Sequence, residues 1–119
     1  EVGALATVNV DRTPLVTPLH FARLGDSIVW ISEPTARHSE NAFRNGKAEF
    51  VVWDDKKRAV FLKTNVTELP ESEKEAAMAA YKEKLADFMP RCENPQLYVA
   101  PIGELDEKTT TGNWLHFIA

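Results

Sequence analysis

The chain has 119 residues, of which 44% are hydrophobic and 27% charged, and its net charge is −4. This length fits one domain with one hydrophobic core and excludes a dehydrogenase with separate cofactor and substrate domains. The acidic balance argues against general binding to nucleic acid, and no apolar run approaches the roughly 18 residues of a membrane span.

We therefore expect residues 1–119 to form a single domain. Because the sequence does not begin with Met, we expect the N-terminus to be truncated. The one cysteine, Cys92, cannot form an internal disulfide, so a reducing compartment is expected, with the cytoplasm as the default. The three histidines are far apart and no paired-Cys spacing occurs, so no metal site is expected.

Strand-forming residues dominate the first part of the chain. Small and β-branched residues predict a strand over residues 4–10, followed by a turn. A second strand over 15–22 contains Pro18, which has no backbone N–H and therefore fits an edge strand or a bulge. The Gly-Asp pair at 25–26 predicts a tight hairpin into a third strand over 27–32.

A short helix is predicted next, over residues 36–45, with Thr35 as its N-cap and Gly46 as its C-terminal stop. Two more strands are predicted over 48–53 and 59–68, joined by a charged turn.

The remaining elements are a longer helix over residues 71–88 and closing strands over 97–105 and 114–118. The links have hairpin length, and no βαβ unit repeats. This order predicts a mainly β protein, a mostly antiparallel barrel with peripheral helices.

The start of the short helix has an unusual charge pattern. Arg37 and His38 fall in its first turn, where the helix dipole makes a cation unfavourable by about 0.3 to 1 kcal/mol. A bound anion would reverse that sign. Three residues add hydroxyl groups: Ser32, Thr35 and Ser39. This is the chemistry of a phosphate site. The alternative is that Arg37 pairs with Glu33 or Glu40 and that His38 is a solvated surface residue.

Three stretches resemble the flavin-binding core of the pyridoxamine 5′-phosphate oxidase-like family: residues 4–18, 28–32 and 35–45. The likeness continues in order through residue 69. It implies a six-stranded antiparallel Greek-key split barrel that forms a homodimer and binds FMN at the subunit interface.

The resemblance also implies roles for individual residues. Arg37 and His38 match the basic pair that grips the FMN phosphate, and Ser32 matches a hydroxyl near that phosphate. The family usually has Lys or Arg where His38 stands, so the affinity for phosphate is expected to depend on pH. Five consecutive residues match the strand that lines the isoalloxazine ring: Val16, Thr17, Pro18, Leu19 and His20. For His20, a surface position facing water is an equal alternative.

Similar proteins have an aromatic residue near the C-terminus that approaches the flavin across the interface, which Trp114 matches, although core packing is its default interpretation. Ala59 stands near a position where the family often has an amide that contacts flavin. Leu85 stands where an Arg for the substrate phosphate is expected, one turn after Tyr81. Oxidation of vitamin B6 is therefore not expected.

The predicted function is that of a homodimeric FMN-dependent oxidoreductase with a small-molecule electron donor or acceptor and an unknown substrate. No residue is predicted to be catalytic, and no nucleic acid or membrane is an expected partner. Two alternatives remain: a non-catalytic module that binds or senses flavin, deazaflavin or haem, and a dimer that has lost its ligand.

Overall fold

A computed structural model describes residues 2–33, 35–85 and 96–119. The strands of this part are β1 (Val2–Val8), β2 (Pro14–His20), β3 (Ala22–Leu24), β4 (Ser27–Ser32), β5 (Lys47–Trp53), β6 (Ala59–Asn65), β7 (Thr67–Glu68), β8 (Gln96–Pro101), β9 (Glu104–Leu105) and β10 (Trp114–Ile118). The helices are α1 (Arg37–Asn45) and α2 (Lys74–Leu85), and a 3-10 turn (Glu71–Glu73) precedes α2. Pro34, Cys92 and the end of the helix expected over 71–88 lie outside the described residues.

The mainly β character predicted from the sequence is confirmed, but the described strands form two sheets rather than one ring of six. The larger sheet has the order β2-β1-β5-β6-β10-β9, and the smaller sheet has the order β3-β4-β8-β7. The expected antiparallel pairing fails at one place, because β10 runs parallel to β6. β9 follows as the edge strand of this sheet, antiparallel to β10.

Three segments predicted as single strands each contribute to both sheets. The chain passes from β2 to β3 at Phe21, from β6 to β7 at Val66, and from β8 to β9 at Ile102 and Gly103. Phe21 and Val66 are buried at these corners. Gly103 has a φ of 77°, and a Cβ there would lie 2.2 Å from the Ile118 carbonyl oxygen, so a side chain would block the crossing.

The hydrophobic core lies between the two sheets and under α2. Leu5 and Phe50 contribute from the larger sheet, Trp30 from the smaller sheet, and Tyr81 from α2. The Phe50 ring covers Gly3, where a Cβ would lie 2.1 Å from the ring. Among the described residues, no helix is both long enough and apolar enough to cross a bilayer.

Candidate functional site

The first turn of α1 is set by Ala36 rather than by Thr35. Ala36 is extended, with φ −62° and ψ 143°, and its carbonyl accepts hydrogen bonds from the N–H groups of Ser39 and Glu40, both at 3.0 Å. The prediction that Thr35 is the N-cap is therefore wrong. Thr35 is exposed in the turn before the helix, and Arg37, two residues later, is the first helical residue.

His38 and Ser32 are brought together across this turn. The Ser32 hydroxyl lies 2.7 Å from Nε2 of His38, so the end of β4 is joined to the first turn of α1. Burial lowers the pKa of His38 below its ordinary value of 6.5, which keeps the imidazole neutral at pH 7. A neutral imidazole has one nitrogen that donates and one that accepts a hydrogen bond, so Nε2 of His38 can either donate to the Ser32 hydroxyl or accept from it.

Arg37 directly precedes His38 and faces the β1–β2 hairpin. Its exposed side chain lines an open pocket of about 700 Å³, together with residues of the β1–β2 hairpin and of α1: Asn9, Val10, Asp11, Thr13, Glu40, Asn41 and Arg44. Hydrogen bonds from Thr13 lower the pKa of Asp11, with a smaller contribution from the positive charge of Arg37. The predicted basic pair therefore consists of one exposed, charged group and one half-buried, neutral group.

Ser39, the third helical residue, faces the interior. Its side chain is 2% exposed and neighbours the buried Tyr98. Burial raises the pKa of Tyr98, and the Ser39 hydroxyl opposes that shift. The structure thus places Ser32, Arg37 and His38 at the helix start and turns the Ser39 side chain toward the core.

The strand predicted to line a flavin ring is β2, and it lies at an edge of the larger sheet, as Pro18 predicts. Val16 and Pro18 are exposed on one face of this edge. Thr17 and Leu19 alternate onto the other face. The carbonyl of His20, at the end of the strand, accepts a hydrogen bond from the buried Tyr81 hydroxyl at 3.4 Å.

Trp114 is separated from these groups within the chain. It begins β10, and β1, β5 and β6 stand between β10 and β2, a span of about 19 Å at the usual strand spacing. Its indole Nε1 donates to the Lys57 carbonyl at 3.3 Å, and its ring lies 5.8 Å from that of Phe61. Ala59, its strand partner, is buried.

The face of the larger sheet that carries Trp114, which we call the outer sheet face, has many apolar side chains together with Glu49 and Lys63, which lie opposite one another. Residues that lie directly opposite one another in neighbouring strands share a face of the sheet. Ala6 lies opposite Val16 of β2 and opposite Glu49 of β5, so the outer sheet face extends to β2. Its large exposed side chains, 42 to 66% accessible, are Val2, Val8, Val16, Trp53, Trp114 and Ile118. Half-buried Val51 and Phe61 lie opposite one another near its middle.

One feature near the site was missed from the sequence, a set of hydrogen bonds between α1 and β1 centred on Asn41. Asn41 is 1% exposed and bonds to Thr7 and Asn9. The available signal was an Asn in the middle of a helix, where this residue type is unfavourable unless its amide has a partner. In the described part of the chain, no group of three His, Cys, Asp or Glu side chains is placed to hold a metal ion.

The fold is shared with several solved structures. A haem-binding protein from Mycobacterium smegmatis is 20% identical with a TM-score of 0.71, covering 86% of this chain and 46% of that one. An FAD-binding protein from Mesorhizobium loti is 21% identical with a TM-score of 0.69, covering 85% and 78%. The haem storage protein from Vibrio cholerae is 15% identical with a TM-score of 0.69, covering 87% and 82%.

At these identities the likeness shows the fold alone, and the chain spans about half the length of the Mycobacterium smegmatis protein. No curated protein matches the chain in sequence. The sequence model of the pyridoxamine 5′-phosphate oxidase family, however, matches residues 1–103. That match covers most of the chain, including β1 to β8, the helix start and the edge strand: the chain belongs to the pyridoxamine 5′-phosphate oxidase family.

Proposed function

We propose that this chain forms a cytoplasmic homodimer that binds FMN and acts as an oxidoreductase with a small-molecule electron donor or acceptor. The observation that carries the proposal is the Ser32–His38 pair, 2.7 Å apart, beside exposed Arg37 at the start of α1. When bound, FMN supplies hydride or electron transfer, while the protein binds and orients it.

The donor groups at the helix start fit a phosphate. Arg37 offers a permanent charge and a planar fork of donors. His38 and Ser32 offer an imidazole and a hydroxyl that already lie within hydrogen-bonding distance of each other. Thr35, exposed in the preceding turn, offers a second hydroxyl. Such a set suits an oxygen-rich anion at the positive end of a helix dipole.

The edge strand β2 suits the flavin ring. Val16 and Pro18 present apolar surface, and the strand has one unpaired edge in the described part of the chain. His20 shares the face of Val16 and Pro18 and would extend the ring contact. Thr17 and Leu19, whose side chains lie on the other face, would contribute through their backbone at the unpaired edge. The substrate is not vitamin B6 in this proposal, because Leu85 stands where an Arg for the substrate phosphate is expected. The Tyr81 hydroxyl is buried and donates to the His20 carbonyl.

The outer sheet face supports the homodimer. Several large apolar side chains exposed on one face, with two Trp rings among them, are typical of an interaction surface. An arrangement in which β10 of one copy lies over β2 of the other would bring Trp114 of the partner subunit to the ring site, which lies about four strand spacings from Trp114 of the same chain. We take the two sheets, with their three crossings, as the halves of a Greek-key split barrel.

Haem is the second candidate ligand, since two of the similar structures are named as haem-binding and haem storage proteins. One observation favours it here. His116 lies on the outer sheet face, stacked on Phe61 with ring centroids 4.4 Å apart and planes 5° apart. A fixed imidazole on an apolar surface is a group that haem iron can bind.

The absorption spectrum of the purified protein separates the two candidates. We expect oxidised-flavin bands, with FMN identified by mass after release by heat. A Soret band, or a colourless protein that FMN does not reconstitute, would overturn the FMN proposal. Anaerobic reduction of the bound flavin by NADH or NADPH then distinguishes an oxidoreductase from a carrier.

His38 is expected to make FMN binding depend on pH. Burial keeps the pKa of His38 below 6.5 without ligand, and a neighbouring phosphate dianion would raise that pKa by favouring imidazolium. Binding then takes up a proton, so affinity rises as pH falls from 8.5 toward 6.5, by at most about tenfold per unit. Below that range the phosphate itself protonates, since its second pKa is about 6.

Fluorescence titrations of FMN across this pH range measure the effect, with riboflavin, which has no phosphate, as the control ligand. His38→Lys should bind FMN more tightly and with a flat profile. His38→Gln should also be flat, but weaker. An unchanged slope in His38→Gln would show that another group takes up the proton.

A further inference from the structure

A cluster of polar side chains joins α1 to the β1–β2 hairpin. At its centre, the buried Asn41 amide donates to the Thr7 hydroxyl at 3.1 Å and to Oδ1 of Asn9 at 2.9 Å. Its own oxygen accepts from Nη2 of Arg44 at 2.6 Å. Both amide hydrogens and the amide oxygen are thus used, so the orientation of this side chain is fully determined.

The cluster reaches both strands of the hairpin. Arg44 donates through Nη1 to the Val8 carbonyl at 3.0 Å, which ties the helix to the end of β1. Asn9 donates through Nδ2 to the Thr13 hydroxyl at 3.1 Å, and its backbone N–H bonds to the Thr13 carbonyl at 2.8 Å. Thr13 directly precedes β2. A continuous chain of hydrogen bonds therefore runs from α1 to the start of the edge strand.

The cluster also lies next to the helix start. Asn41 follows Arg37 by four residues, which places the two side chains on the same face of α1, one turn apart. Both line the pocket between α1 and the hairpin. Any change in how Asn41 docks on β1 would therefore shift Arg37 relative to β2.

We propose that Asn41 is a positioning residue for the cofactor. Held by Arg44, it fixes the register of α1 against the hairpin, and so fixes the separation between Arg37 and the apolar surface of β2. FMN has a phosphate and a ring joined by a chain of limited length, so only one separation lets both ends bind well. This inference rests on the proposed function.

The test compares FMN with riboflavin, because riboflavin needs the ring site but not its distance from Arg37. Asn41→Ala is expected to weaken FMN at least about fivefold while changing riboflavin much less. The matched control is Thr64→Val, which removes another buried hydroxyl, one that is bonded to the Pro101 carbonyl of β8 at 2.7 Å instead of linking α1 to the hairpin. Thr64→Val should lower the unfolding midpoint and leave the ratio of the two affinities unchanged.

A double-mutant cycle with Arg37→Ala separates positioning from general loss of structure. In the Arg37→Ala background, Asn41→Ala should have little further effect on FMN, because the contact it positions is already gone. Its effect on the unfolding midpoint should be the same in both backgrounds. If Asn41→Ala does not fold, Arg44→Lys serves as the second variant, because Arg44 is exposed. This substitution keeps the charge but cannot make both bonds, to Asn41 and to the Val8 carbonyl.

Two results would overturn the inference. One is an equal loss of affinity for FMN and for riboflavin in the Asn41 or Arg44 variant. The other is a double variant whose loss of FMN affinity equals the product of the losses in Asn41→Ala and Arg37→Ala. The native chain serves as the reference for the proposed function. If the native chain binds no FMN, the proposed function fails and this inference fails with it. If the native chain binds FMN and Asn41→Ala keeps the native ratio of affinities, the inference alone fails.

Discussion

Arg37→Ala is expected to weaken FMN binding by about 10- to 150-fold, the loss of a charge-assisted hydrogen bond worth about 1.5 to 3 kcal/mol. Arg37 is the group at the helix start whose charge is permanent, since burial keeps the neighbouring His38 neutral. Riboflavin affinity should stay within about twofold, because riboflavin has no phosphate for the guanidinium to bind. Equilibrium fluorescence titration of both ligands measures the two effects.

Arg23→Ala is the matched control for this experiment. Arg23 is also exposed, lies on β3, and donates from Nε to the Gly25 carbonyl at 2.9 Å. Removing it takes away the same net charge at a distance from the helix start. If both variants weaken FMN equally, the effect is one of overall charge; if neither does, the phosphate site lies elsewhere.

Val51→Lys is expected to convert the dimer to a monomer. Val51 lies in β5, between Ala4 and Phe61 near the middle of the outer sheet face. A charge there would lose its contact with water in the dimer, at a cost of about 3 to 5 kcal/mol, and the dissociation constant should rise at least about 100-fold. Sedimentation velocity over a range of concentrations measures the shift.

The control is the same substitution away from that face. Val10 is 80% exposed on the β1–β2 hairpin, so Val10→Lys should leave the dimer intact. The monomeric Val51→Lys variant should also bind FMN more weakly, since it would lack Trp114 of the partner subunit. A native protein that sediments as a monomer at all concentrations contradicts the proposal, as does a Val51→Lys variant that remains a dimer.

Local patterns were sufficient to place most strands and both helices. Gly46 illustrates a reliable signal: it has a φ of 75°, and its N–H bonds to the Ala42 carbonyl, as expected of a residue that ends a helix. Strand partners far apart in the chain were not predictable. The parallel pairing of β10 with β6, and the division of residues 97–105 between two sheets, depend on contacts between distant segments that period-2 patterns do not encode.

For the candidate site, the sequence predicted the helix start but not the direction of its side chains. Thr is the better N-cap by propensity, yet the helix begins after Ala36. The burial of Ser39 and the contacts of Asn41 with β1 outweigh one capping bond. The same tertiary contacts orient Arg37 toward the pocket and leave His38 near Ser32. The positions of these residues in the sequence do not reveal that the two side chains point in different directions.

The Phe50 ring over Gly3 also has a consequence for variation among relatives. With 2.1 Å between a Cβ at position 3 and the ring, the two positions share one volume. A relative with a larger residue in place of Gly3 needs a smaller residue in place of Phe50, a Phe50 ring turned aside, or a displaced β1. Aligned family sequences should therefore show these two distant positions changing together, with the total side-chain size conserved.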